Sequence, residues 1–103
     1  MTGAAGMLGG DVRRAAQRAG YELALADVGA AADAGGLPEL DITDAAAVDE
    51  LLDRLGGDPG SLHGIVNCAA WTDVDGAETK REQAHAVNAT GAGILARAAA
   101  EIA

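Results

Sequence analysis

Thr2-Gly3-Ala4-Ala5-Gly6-Met7-Leu8-Gly9 carries the spacing T-G-x-x-G-x-x-G, whose chemistry is the holding of a pyrophosphate by backbone. Such a turn needs missing Cβ atoms to bend tightly, to come close to phosphate, and to let a helix lie near a sheet. The free N–H groups of the following helix then face the phosphates, and the helix dipole adds to the attraction. Asp27 follows Gly9 at close to the roughly 20-residue separation of a carboxylate that hydrogen-bonds a ribose 2′-hydroxyl. A carboxylate there repels a 2′-phosphate, which leans the site toward NADH over NADPH. Two plainer readings stand beside these. A chain with 15 glycines among 103 residues throws up spaced glycines by chance, and aspartate after a strand is common turn chemistry.

The elements that must position these residues follow from periodicity. Leu8, Val12, Ala15, Ala16 and Ala19 recur at helical spacing until Gly20, predicting a helix from about Leu8 to Ala19. The apolar run 22–26, closed by Asp27, suits a strand with a carboxylate at its tip. Pro38-Glu39-Leu40-Asp41 reads as a short further strand, and Thr43 or Asp44 as the N-cap of the next helix. In that helix Val48, Leu51, Leu52 and Leu55 share a face, and Gly56-Gly57-Asp58-Pro59-Gly60 ends it. Gly64-Ile65-Val66-Asn67-Cys68-Ala69-Ala70 reads as a buried strand. From about Thr79, the residues Ala84, Val87, Gly91, Ile94, Leu95, Ala98 and Ile102 give one long helical face.

This alternation predicts an α/β fold: a partial Rossmann-like, doubly wound parallel sheet with its first strand missing and its C-terminal half absent. The whole chain, 1–103, reads as one partial NAD(P)-binding domain. In a sheet ordered 3-2-1-4 the missing strand lies between 22–26 and 64–68, so its loss leaves two ladders unpaired. The chain alone is therefore expected to fold poorly.

Composition narrows the function. The formal net charge of −9, from 16 acidic against 7 basic residues, argues against nonspecific binding to nucleic acid or to an anionic membrane surface. Cys68 is the single cysteine, which rules out an internal disulfide and a Cys-rich zinc site. His63 and His85 are isolated. No segment is long and apolar enough to span a bilayer, and no basic-then-apolar leader opens the chain. A cytoplasmic protein is the expectation.

The blocks Gly3-Ala4-Ala5-Gly6-Met7-Leu8-Gly9, Leu40-Asp41-Ile42-Thr43-Asp44, Val66-Asn67-Cys68-Ala69-Ala70-Trp71-Thr72-Asp73-Val74-Asp75, Ala77-Glu78 and Ala86-Val87-Asn88-Ala89-Thr90-Gly91 carry a resemblance. In this order they resemble the dTDP-4-dehydrorhamnose reductase family of extended short-chain dehydrogenases/reductases. The resemblance implies NAD(P)H-dependent reduction of a nucleotide-sugar substrate, dTDP-4-dehydro-L-rhamnose, in dTDP-rhamnose biosynthesis, with the complete protein a candidate homodimer. It implies that Gly6, Met7 and Leu8 contact the pyrophosphate within the turn bounded by Gly3 and Gly9, and that Asp27 holds the adenosine ribose. Asp41 and Ile42 flank the adenine, and Ala69, Ala70, Trp71 and Thr72 line the cofactor. Trp71 stands where the family usually has tyrosine or histidine. Asn88 matches an asparagine on the helix beside the active site; a solvent-facing helix residue is the plain alternative. Asp11 matches an acid that helps some members bind Mg²⁺, although an acid in a first helical turn is favoured by the dipole in any case.

The same resemblance implies a Tyr-x-x-x-Lys pair with a Ser/Thr partner, in which tyrosine donates the proton. Tyr21 is followed four places on by Leu25, and Lys80 is preceded four places back by Gly76. No catalytic residue of this type stands in the chain, which is expected to be inactive by itself. Met1 occupies a position where the family commonly has valine. It is expected to be a GTG valine codon read as a start within a longer gene, with a sequencing or assembly break at the other edge. Another sugar-nucleotide epimerase or dehydratase, and a non-catalytic regulatory subunit of the same fold, are the alternatives.

Overall fold

The computed structural model describes residues 1–29, 32–33, 36–56, 62–71 and 74–102. Helix α1 spans Met7–Arg18, close to the predicted bounds. Gly20, at φ +90°, follows its last turn, a backbone angle that glycine adopts without a Cβ penalty. Helix α2 spans Ala45–Leu55. Its N-cap is Asp44, whose carboxylate accepts from the Ala47 N–H at 3.1 Å, one of the orphan donors of a first helical turn.

The C-terminal helical region is divided at Lys80, at φ −123° and ψ 52°, into a short helix α3 (Val74–Thr79) and a continuous run from Arg81 to Ile102 close to the predicted one, made of α4 (Arg81–His85), a π-helical turn (Ala86–Gly91) and α5 (Ala92–Ile102). The predicted apolar stripe lies along this run: Ala84, Gly91, Ile94, Leu95 and Ala98 are buried, and Val87 and Ile102 half-buried. α5 packs on α2, and the core joins Ala26, Leu40, Ile42, Val48, Ile94, Leu95 and Ala98. None of the helices among the described residues is long and apolar enough to cross a membrane.

The predicted strands are corrected. Among the described residues, 22–26, 38–41 and 64–70 form no continuous strand; the pairings are isolated parallel bridges, Thr2 with Asn67 and Asp27 with Glu39. The hydrogen bonds nevertheless set the segments side by side. The Met1 ammonium donates to the Ala24 carbonyl at 2.8 Å. Ala26 N–H donates to Met1, Thr2 N–H to the Val66 carbonyl, and Cys68 N–H to Thr2. On the far side Asp27 N–H donates to Pro38, and Leu40 N–H to Asp27.

Met1 and Thr2 thus occupy the place expected to be vacant between 22–26 and 64–68. A parallel ladder needs a partner along its length, and these two residues lead at once into the Gly3 turn. The flanking segments therefore pair only at their C-terminal ends. With so little sheet beneath it, α1 packs on no other helix among the described elements. Its Leu8 is 63% exposed rather than facing a core.

Candidate functional site

The three glycines of the turn differ in what surrounds them. Gly3 sits at φ +63°, in the left-handed region, and a Cβ there would overlap the Cys68–Ala69 peptide. Gly9 is buried, and a Cβ there would overlap the Gly3 carbonyl. Gly6 is exposed, with ordinary angles of φ −76° and ψ 174°; a Cβ there would find the Gly3 oxygen at 3.4 Å as its nearest neighbour. The first and third glycines are needed by the fold. Nothing among the described residues needs the second.

The turn is stitched by Ala4 N–H donating to Ala26, Gly6 N–H to Gly3 and Gly10 N–H to Gly6. Asp27 adds a side-chain tie: Ala5 N–H donates to its Oδ2 and Val28 N–H to its Oδ1, each at 2.8 Å. Turn chemistry and proximity to the glycines, separate readings from sequence, here belong to the same half-buried carboxylate. Gly6, as N-cap of α1, offers no side-chain acceptor to the first helical turn. These N–H groups suit an external anion.

A cleft of about 200 Å³ opens beside the turn. Of the predicted cofactor residues, Gly3, Gly6, Asp27, Asp41, Ile42, Ala69 and Ala70 line it. The far-separated blocks meet because Met1–Thr2 bonds to both neighbouring segments and so brings their C-terminal ends to the turn. Asp41 is fixed by a local turn, its Oδ1 accepting from Thr43 N–H at 2.9 Å and Thr43 Oγ1 at 2.6 Å. Among the described residues the lining holds two carboxylates, Asp27 and Asp41, and no lysine or arginine. An anionic ligand here meets backbone dipoles, with no cationic side chain from the described residues in the wall.

Other predicted residues stand elsewhere. Met7 is 91% exposed at the start of α1, and neither it nor Leu8 lines the cleft; Gly9 is buried behind the turn. Trp71 is half-buried and off the lining, and Thr72 lies outside the described residues. Asn88 is exposed, but both ends of its amide engage the backbone of Trp71: Trp71 N–H donates to Oδ1 at 2.7 Å, and Nδ2 donates to the Trp71 carbonyl at 3.2 Å. It therefore tethers the 69–71 segment to the π-helical turn. Asn67 plays a similar part, its Oδ1 accepting from Thr2 Oγ1 at 2.6 Å and Ala69 N–H at 3.0 Å.

Asp11 pairs with Arg14 on the exposed side of α1. Among the described residues no group of acids, histidines or cysteines gathers around it as a metal would require. The Met1 ammonium lies part-buried, and desolvation pulls its pKa below the usual 8.0 against a smaller upward pull from Cys68.

Val28, Leu40, Cys68 and Val87 also line the cleft, and sequence reasoning did not name them as site residues. Each adjoins a residue that it did name: Asp27, Asp41, Ala69 and Asn88 in turn. Val87 lies in the apolar stripe of the C-terminal helix, which pointed only to the core.

The family profile described as the RmlD substrate binding domain matches residues 1–103. The chain is similar to a dTDP-4-dehydrorhamnose reductase of Mycobacterium tuberculosis, with 42% identity over 99% of this chain and 28% of that protein. It is similar to a dTDP-4-dehydrorhamnose reductase of Streptomyces griseus, with 42% identity over 95% of this chain and 28% of that protein. A reductase of low-salt glycan biosynthesis from Haloferax volcanii is 50% identical over 58% of this chain and 18% of that protein. The chain thus spans between a quarter and a third of the length of the full-coverage relatives. No solved structure matches it.

Proposed function

Since this chain belongs to the RmlD substrate binding domain family, we propose that it is the N-terminal, cofactor-binding part of an NAD(P)H-dependent dTDP-4-dehydrorhamnose reductase. The family implies a Rossmann-like fold, and residues 1–103 read as part of one such domain, with segments running in the order 38–40, 24–27, 1–4, 66–68. One observation carries the cofactor reading: among the described residues nothing forbids a side chain at Gly6, yet it lines the cleft at a helix N-terminus with no side-chain cap. Close approach of a phosphate accounts for the glycine.

When bound, NADH or NADPH supplies the hydride delivered to the 4-keto carbon of dTDP-4-dehydro-L-rhamnose. The residues of this chain bind and orient. Gly3 and Gly9 let the turn close under the helix, and Gly6 leaves the first-turn N–H groups open to the pyrophosphate. Asp27 keeps lone pairs for the adenosine ribose while its other bonds hold Ala5 and Val28. Because the described wall residues include two carboxylates and no cation, the wall favours the ribose of NADH over the 2′-phosphate of NADPH. Ile42 and Asp41 form the adenine side, and Ala69 and Ala70 the opposite wall, with Asn88 steadying Trp71 behind them. The exposure of Met7 and Leu8 leaves them their backbone as the contacting part. Asp11 pairs with Arg14 and has no further acid, histidine or cysteine grouped with it among the described residues, so a Mg²⁺ ion there would draw its other ligands from the rest of the intact protein.

Proton donation requires a tyrosine and lysine that this chain does not pair, so binding without turnover is the expected behaviour. Calorimetric titration of the chain with NADH and NADPH, followed by a reductase assay on dTDP-4-dehydro-L-rhamnose, tests the proposal. Saturable binding, tighter for NADH and without NADH consumption, is the expected result. Absence of binding to either dinucleotide by a chain that circular dichroism shows to be folded would overturn it.

A further inference from the structure

Gly91 closes the π-helical turn and is buried. A Cβ placed on it would lie 2.6 Å from Cγ1 and 2.8 Å from Cδ1 of Ile42, and 3.3 Å from the Ala86 carbonyl. Optimal carbon contacts are about 3.5–4.0 Å, so the side chain of Ile42 would have to move. Its directions of movement are few. Ile42 is 4% exposed and belongs to the core cluster with Val48, Ile94 and Leu95, and packed interiors yield little. Its backbone is held on one side by the turn at Asp41 and on the other by the Asp44 cap. The remaining side of Ile42 is the cleft, which it lines.

We propose that Gly91 is a positioning residue: by lacking a side chain it lets Ile42 lie back against the π-helical turn, and so sets the width of the cleft where the adenine end of a dinucleotide enters. This rests on the cofactor reading above. The irregular turn thereby governs both walls, the adenine side through Gly91 and Ile42 and the opposite side through Asn88 and Trp71. π-Helical turns are often found at functional sites, and here the contact gives one such turn a specific task.

The test is a double-mutant cycle of Gly91→Ala and Ile42→Ala in the full-length protein, read by calorimetric binding of ADP-ribose and of nicotinamide mononucleotide, with thermal melting alongside. Ile42→Ala removes the two carbons that an alanine at 91 would strike. Gly91→Ala alone is expected to weaken ADP-ribose about tenfold, in keeping with the energies of overpacking, and to change nicotinamide mononucleotide binding by less than about twofold on the same scale. In the Ile42→Ala background the same substitution is expected to have almost no further effect, since coupling shows only between residues that touch. Should Gly91→Ala fail to fold, recovery of folding in the double variant supports the contact, and failure to recover overturns it. Equal effects in both backgrounds, or a lowered melting temperature with unchanged ADP-ribose affinity, would also overturn it. A wild-type chain that does not bind ADP-ribose would instead refute the cofactor reading itself.

Discussion

Replacing Gly6 by alanine separates ligand binding from folding, because the space around the three turn glycines is so unequal. At Gly6 the added methyl meets its nearest atom at 3.4 Å, and φ −76°, ψ 174° is open to any residue. The folded state is barely strained. The unfolded chain loses freedom, which favours folding by about 0.4–1 kcal/mol, while alanine is a somewhat poorer N-cap than glycine by a similar amount. Net stability should therefore change by less than about 1 kcal/mol. Gly9→Ala instead drives a methyl into the Gly3 carbonyl, which is backbone and cannot rotate aside, at a cost of about 3 kcal/mol or more. Binding should show the reverse contrast. Position 6 lines the cleft, and a methyl there is expected to hold a pyrophosphate away from the first-turn N–H groups. Losing one hydrogen bond to a charged group costs about 1.5–3 kcal/mol, or roughly ten- to a hundredfold in Kd. Thermal melting of both variants, with NADH titration of Gly6→Ala, reads both quantities. A Gly6→Ala chain that melts as low as Gly9→Ala, or that binds NADH as the parent does, would refute the division of roles.

Asp27→Ala should weaken NADH by about 1–3 kcal/mol, the scale for stripping a partner from a bound hydroxyl, whereas Asp27→Asn should narrow the gap between NADH and NADPH by removing a charge; parallel titrations with both dinucleotides check this, and an unchanged ratio in Asp27→Asn would count against the ribose assignment. Asn88→Ala removes two exposed bonds to Trp71, so the Trp71 amide should exchange faster with solvent at a stability cost of about 1 kcal/mol, and unaltered exchange at that amide would contradict the tether. Burial lowers the Met1 ammonium below 8.0, so folding disfavours its charged form. The penalty is full below the folded-state pKa, and stability should rise with pH as the solution passes from that value to about 8. Melting temperatures across this window, with an N-acetylated chain expected to lose this contribution, provide the check.

What was legible in the sequence was local. The glycine spacing, Asp44 as a cap and the stripe from Ala84 to Ile102 are each written within a few neighbouring residues, and each stands where expected. The strands at 22–26 and 64–70 were legible as apolar runs but not as ladders, because pairing depends on what lies between them. Only Met1 and Thr2 lie there. The resemblance brought Asp27, Asp41, Ile42, Ala69 and Ala70 to one cleft, since each sits at the C-terminal end of its segment. It did not bring Val87, whose helical spacing announces burial whether the neighbour is core or cleft. Nor did spacing disclose the π-helical turn, in which Gly91 meets Ile42 across nearly half the chain. The double grip of Asp27 on Ala5 and Val28 was likewise hidden, because a carboxylate after an apolar run looks the same with either partner.

The glycine turn and the ends of the neighbouring segments are proposed to form one dinucleotide site. Amide chemical shifts of the ¹⁵N-labelled chain, mapped during an NADH titration, report on each of these segments at once. The expected result is saturable change concentrated at Gly3 to Gly9, Asp27, Asp41–Ile42 and Ala69–Trp71, with α2 beyond its first turn unchanged. Saturable change located elsewhere, or none at all in a folded chain, would contradict the proposal.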